Sequence, residues 1–130
     1  MPKQVINPPT VHTPIGRGYA HAVRVGNTVY IAGQVALDAQ GNLVGKGDIR
    51  AQTEQVFRNL QAVLEACGGS LRDLVKITVY LVRAEDIPTF REVRSRYLPQ
   101  EPPASTLVVI SRLASPDFLV EVEGIAVIGG

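Results

Sequence analysis

The chain has 130 residues, 45% of them hydrophobic and 19% charged, and a formal net charge of +1. This is ordinary globular composition, sufficient for one buried core without covalent staples, and it excludes a disordered chain. Charges of both signs are spread along the chain with no long basic block, which argues against a nucleic-acid or membrane surface; the single cysteine, Cys67, rules out an internal disulfide and argues against a metal–thiolate cluster.

The start, Met1-Pro2-Lys3-Gln4, lacks the apolar stretch of a signal peptide, and no apolar run has the length of a membrane span. A cytoplasmic protein is expected. Residues 1–18 hold Pro2, Pro8, Pro9, Pro14, Gly16 and Gly18 and read as an irregular arm. Residues 19–25 alternate, with Tyr19, His21, Val23 and Val25 on one side and Ala20, Ala22 and Arg24 on the other. Gly26-Asn27 then turns the chain into a second strand over 28–32, giving a hairpin. Gly33-Gln34 follows, and residues 38–42 form a turn cluster.

Asp48 is placed to cap a helix, because its carboxylate can accept from free amides of the first turn. Ile49, Val56, Phe57, Leu60, Val63, Leu64 and Cys67 make one stripe of 3.6-residue period, and Gly68-Gly69 ends it. Val75, Ile77, Val79 and Leu81 alternate with Lys76, Thr78 and Tyr80, as in a strand with one face in the core. Asp86 can cap a second helix with Pro88 in its first turn; Phe90, Val93 and Tyr97 form its apolar stripe and Pro99 stops it. Beyond Pro102-Pro103, strands are expected over 105–111 and 119–128. The order ββαβαββ, with no repeat and no linker, predicts one α+β domain over residues 1–130, a single sheet with two helices on one face. Val108, Ile110, Val120, Val122 and Ile128 are too many to place on one side, so the other face is expected to be buried against identical subunits.

Few residues stand out for chemistry. Glu121 and Glu123 share one face of an otherwise apolar strand. Two readings are open: a solvated face with salt bridges, or a partly buried carboxylate of raised pKa that orients or deprotonates water. Arg91, Arg94 and Arg96 cluster on the second helix, either as a solvated face or as a guanidinium fork for a carboxylate. His12 and His21 are the only histidines, too few for a metal site, and read as packed or surface residues. Cys67 falls on the apolar stripe and reads as core. Gly16-Arg17-Gly18 follows no strand and opens no helix, so it is not a phosphate loop. Ser105 has no context of a catalytic triad.

Four stretches together resemble the Rid family (YjgF-like reactive-imine deaminases): Tyr19-Ala20-His21-Ala22-Val23; Ile31-Ala32-Gly33-Gln34-Val35; Val75-Lys76-Ile77-Thr78-Val79-Tyr80-Leu81; and Pro103-Ala104-Ser105-Thr106 leading into Val120-Glu121-Val122-Glu123-Gly124-Ile125-Ala126-Val127. The resemblance implies a chorismate-mutase-like fold and a homotrimer with small clefts between adjacent subunits. It also implies hydrolysis of enamines and imines to a ketoacid and ammonia, without cofactor or metal. In such a site an arginine pairs with the substrate carboxylate, backbone groups hold it, and a glutamate positions water. Carried over by position, Tyr19 lines the cleft, Gly33 offers its backbone and Glu121 takes the water-positioning place. The departures are Ser105 where the family has its arginine, Leu107 where it has a cysteine, and Arg94 where an asparagine is common. Loss of a desolvated charge partner costs about 2–5 kcal/mol of binding, so the imine of a standard amino acid is not the expected substrate. Arg94, with the Ser105 hydroxyl, is a candidate to restore an anion site from the opposite wall; its alternative is a solvated helix residue.

Three functions follow as expectations. The first is cofactor-independent hydrolytic deamination of a small enamine or imine, carried by Glu121. The second is a non-catalytic trimer that binds a small metabolite in the same cleft. The third, nucleic-acid action, is opposed by the near-neutral charge, the absence of Trp and the scarcity of aromatics.

Overall fold

Asp48 opens the longer helix, α1 (Ile49–Ala66), by accepting a hydrogen bond from the Ala51 amide at 3.1 Å. Its C-terminus closes on two glycine amides: Gly68 donates to the Glu65 carbonyl and Gly69 to that of Leu64, with Gly68 at φ +80°. This is the paired termination that only a left-handed residue permits without strain. The computed structural model in which these contacts occur describes residues 2–14 and 16–129.

Six strands form one mixed sheet in the spatial order β1-β2-β3-β6-β4-β5. They are β1 (Gln4–Ile6), β2 (Ala22–Val25), β3 (Thr28–Gln34), β4 (Leu74–Leu81), β5 (Ala104–Val109) and β6 (Val120–Val127). Only β4 and β5 run parallel, because α2 (Ile87–Tyr97) forms the crossover between them. The order is ββαβαββ with one strand added at the front. That strand lies in the arm read as irregular, which is described apart from Met1 and Ile15. Three residues are too few to show alternation, yet Gln4, Val5 and Ile6 pair with Arg24, Val23 and Ala22.

Both helices cover one face of the sheet. The α1 stripe of Val56, Phe57, Leu60, Val63 and Leu64 is fully buried against Val29, Ile77, Val79, Leu81, Val120 and Val122. Each such side chain stabilises the fold by about 1.5–3 kcal/mol. Phe57 joins the two helices, stacked on Tyr97 at 5.2 Å between centroids and tilted against Phe90 at 6.1 Å. Outside the core, Arg50 pairs with Glu92 across the helices at 2.8 Å.

Two local expectations are corrected. The alternation over residues 75–81 breaks at its start: a register shift between Leu74 and Lys76 puts Leu74 in the core and turns Val75 outward. Asp86 occupies the N-cap position of α2 but makes no capping hydrogen bond, because Arg83 holds both its carboxylate oxygens, at 2.8 and 3.2 Å.

The face away from the helices carries exposed apolar residues, and of those singled out in the sequence Val108 is among them. Val120, Val122 and Ile128 are buried within this chain. Val5, Val25, Tyr30, Val108 and Val127 are exposed, and their pairing partners place them with Ile125, Glu123 and Glu121 on the uncovered face.

Candidate functional site

Glu121 stands on β6 next to an irregularity of the sheet. Its neighbour β3 shifts register between Ile31 and Gln34, and Gly33 falls inside that shift. The carboxylate of Glu121 lies over Gly33 so closely that an added Cβ would overlap its Oε2 and Cδ atoms. Glycine here is therefore a matter of space: it clears the seat of the acid.

The acid lines a recess of about 430 Å³ with His12, Arg17, Tyr19, Gly33 and Phe118. Among the described residues nothing hydrogen-bonds or ion-pairs with its carboxylate. Burial, reinforced by the negative charge of Glu123, pushes the Glu121 carboxyl above the ordinary range. Glu123 shares the face but has a partner, since the Tyr80 hydroxyl donates to its Oε1 at 2.6 Å. The even period of a strand cannot separate the two acids. The register shift at Gly33 and the Tyr80 hydroxyl do.

Tyr19 forms the rim of the recess. Its hydroxyl lies 3.4 Å from His12 Nε2, and its ring meets that of His21 edge-on at 6.0 Å. Burial raises the pKa of Tyr19, opposed by Arg17 and aided by Glu121. Both histidines are packed. His21 is wholly buried; its Nδ1 accepts from Gln34 Nε2 at 3.1 Å, so its other nitrogen carries the proton and donates to the His12 carbonyl at 2.5 Å. That chain of bonds pins the arm to β3.

Ser105 and Arg94 lie elsewhere. Ser105 pairs with Ile77 and Glu121 with Tyr80, so the two are separated by three residues along β4 and by two strand spacings. Each of those separations is about 10 Å. They also point to opposite faces, since Ser105 meets α2: Arg94 Nη1 is 3.5 Å from its Oγ. Within one chain Glu121 thus lies against Gly33 and away from Ser105.

Arg94, Arg91 and Ser105, with Pro102, Pro103 and Leu98, line a second recess of about 350 Å³ at the β5 edge. Neither acid that could have taken Arg94 does so. Asp86 is held by Arg83, and Glu92 by Arg50 and Arg96. The Arg94 guanidinium lies over the Phe90 ring at 5.4 Å, and burial together with Arg91 lowers its pKa, which leaves it charged. Leu107 packs partly against the core and lines neither recess. Cys67 is buried, and burial pushes its thiol pKa up.

A family model described as Endoribonuclease L-PSP matches residues 11–128, nearly the whole chain. The chain belongs to this family, the Rid (YjgF-like) family. A RutC family protein of Pyrococcus abyssi is 43% identical over 97% of this chain and 98% of its own length. A 2-iminobutanoate/2-iminopropanoate deaminase of Dermatophagoides farinae is 36% identical, covering 98% of each. Among solved structures, RidA from the Antarctic bacterium Psychrobacter sp. superposes with a TM-score of 0.89 at 39% identity, over 96% of this chain and 99% of that one. The Rid family thus contains imine deaminases, and the two helices on a mixed sheet match its chorismate-mutase-like fold. Sequence reasoning missed His12 and Arg17 as members of the recess. Both sit on an arm without period, and the available signal was an arginine held between two glycines.

Proposed function

We propose that this protein hydrolyses the C=N bond of a small imine, or of the enamine that tautomerises to it, in a cleft between subunits of a homotrimer. The observation that carries this reading is Glu121: a half-buried carboxylate of raised pKa, without a protein partner among the described residues, in a recess that could hold a small metabolite. Membership of a family that contains imine deaminases supports it.

The reaction balances with water alone. Glu121 takes a proton from water as its oxygen attacks the imine carbon, and the nitrogen gains a proton. In the resulting carbinolamine the C–N bond breaks; ammonia leaves, and the remaining hydroxyl loses its proton to give the carbonyl. A carboxyl whose pKa lies nearer neutrality than usual serves both directions of transfer. Gly33 lies beside the acid, and Tyr19 bounds the site.

The exposed apolar face, with Val5, Val25, Tyr30 and Val127, supplies the surface for trimer formation. In the trimer the Ser105–Arg94 edge of one subunit forms the far wall of the neighbour's Glu121 recess. With Ser105 and Leu107 in place of the family's arginine and cysteine, that wall lacks the usual carboxylate clamp. The carboxylate of a simple amino-acid imine therefore meets no family arginine on that wall.

A non-catalytic metabolite-binding trimer is the remaining reading, favoured by Ser105. Cleavage of RNA, suggested by the family's description, has no support in a net charge of +1. Ammonia release above the spontaneous rate, measured across a panel of imines and enamines, tests the proposal. Binding of a panel member without ammonia release would transfer support to the binding reading. A monomer in analytical ultracentrifugation would remove the cleft itself.

A further inference from the structure

The deaminase reading uses Glu121, Gly33 and Tyr19 but leaves two side chains of the same recess without a task, Arg17 and His12. Arg17 is presented outward. Its amide donates to the Pro14 carbonyl at 3.0 Å to close a turn, and Gly16 and Gly18 beside it both have φ of +83° with open space around them. Any other residue would be strained there, so the turn is built to expose the side chain between them. Among the described residues the guanidinium has no acidic partner, and its charge acts on both Tyr19 and His12.

His12 is buried, with Nε2 at 3.4 Å from the Tyr19 hydroxyl and Nδ1 buried without a hydrogen-bond partner among the described residues. Burial, His21 and Arg17 all lower its pKa, so the ring is neutral at pH 7 and carries one proton. A proton on Nδ1 would be a buried donor without an acceptor, the costlier arrangement; on Nε2 it donates to the Tyr19 oxygen. Tyr19 then keeps its own proton for whatever occupies the recess.

We propose that Arg17 and Tyr19, the latter oriented by His12, form an anion-binding wall on the same side of the cleft as Glu121, so that this site takes a carboxylate-bearing imine or enamine. The carboxylate is held from the arm rather than from position 105, which changes where the C=N carbon sits relative to the acid. Arg17 and Tyr19 are the binding groups; His12 is a positioning residue. The inference deepens the deaminase reading, but its test is a binding measurement that stands even if no ammonia is released.

The experiment is a calorimetric titration of the intact protein with 2-oxobutanoate, a stable carboxylate probe, and with its uncharged counterpart 2-oxobutanamide. The acid is expected to bind more tightly than the amide. Arg17→Gln is expected to weaken the acid about tenfold, with the amide unchanged. Tyr19→Phe and His12→Leu should each weaken the acid by about threefold, and by no more when combined, as a single coupled contact requires. His12→Gln restores a donor near Nε2 and should recover binding, which a role in packing alone would not produce. Equal affinity of the acid and the amide would overturn the proposal. So would an unchanged affinity in Arg17→Gln, or a loss found in Arg94→Gln instead. Ammonia release without Arg17 dependence would overturn it while leaving the deaminase reading intact; Arg17-dependent binding without ammonia release would do the reverse.

Discussion

The two recesses of this chain are lined by opposite chemistry. The one at β3 and β6 holds an acid of raised pKa, a tyrosine, a buried neutral imidazole and an arginine without an acidic partner among the described residues. The one at the β5 edge holds two arginines, a serine and prolines, with no acid in its lining. Only the first has an acid in its lining, and burial with Glu123 raises that acid above the ordinary carboxylate range. The second carries positive charge that its own helix does not neutralise: Glu92 is taken by Arg50 and Arg96, and Asp86 by Arg83. The Glu121 recess at the centre of the sheet and the Arg94 recess at its β5 edge thus lie on different faces.

The sharpest way to break the comparison is to disturb one recess at a time. Gly33→Ala drives a methyl into the Glu121 carboxylate and forces it off its seat. A displacement of about 1 Å at a reacting group costs on the order of 100-fold in rate. Steady-state ammonia release should fall by that order in Gly33→Ala, with thermal stability little changed. Ser105→Ala, in the other recess, should alter the rate by less than about threefold.

A smaller effect is expected from Ser105→Arg. It would place a third guanidinium beside Arg94 and Arg91, 3.5 Å being the present distance from Arg94 to the Ser105 hydroxyl. Like charges at such spacing destabilise by about 0.5 kcal/mol. Arg94→Asn in the same chain should relieve that loss, measured by thermal melting at low salt. If Ser105→Arg were as stable as the parent protein, residues 94 and 105 would not be coupled.

Much of this was legible in the sequence, and the omissions have physical causes. The α1 stripe and both its caps are local signals, and they survive packing because they agree with it. The core residues of β4 were legible from Ile77 onward, while Val75 was lost to a register shift that no alternation pattern records. β1 escaped notice because three residues between prolines show no period. Glu121 and Glu123 are equivalent by alternation; only the long-range partner Tyr80 and the shift at Gly33 distinguish them. His12 and Arg17 enter the recess through the path of an irregular arm, which periodicity does not describe.

The smallest expected effect concerns stability and pH. Burial and Glu123 raise the Glu121 pKa in the folded chain, so the folded state binds that proton more tightly than the unfolded chain does. The associated stability is complete below the unfolded pKa of about 4 and is lost as pH rises through the higher folded value. Glu121→Gln removes this penalty. Its melting temperature should exceed that of the parent protein at pH 7, and the difference should vanish as pH falls below about 4. A difference constant across that range would mean that Glu121 is not the titrating group.

The most direct test of the central claim is the rate of ammonia release from an imine generated in situ, for the parent protein and Glu121→Gln side by side, each verified as the same oligomer. The parent protein should exceed spontaneous hydrolysis, and Glu121→Gln should fall by at least about 100-fold toward the spontaneous rate, because the amide keeps the shape of the acid but cannot accept a proton. Parent-like turnover in Glu121→Gln, with Glu123→Gln inactive instead, would contradict the account.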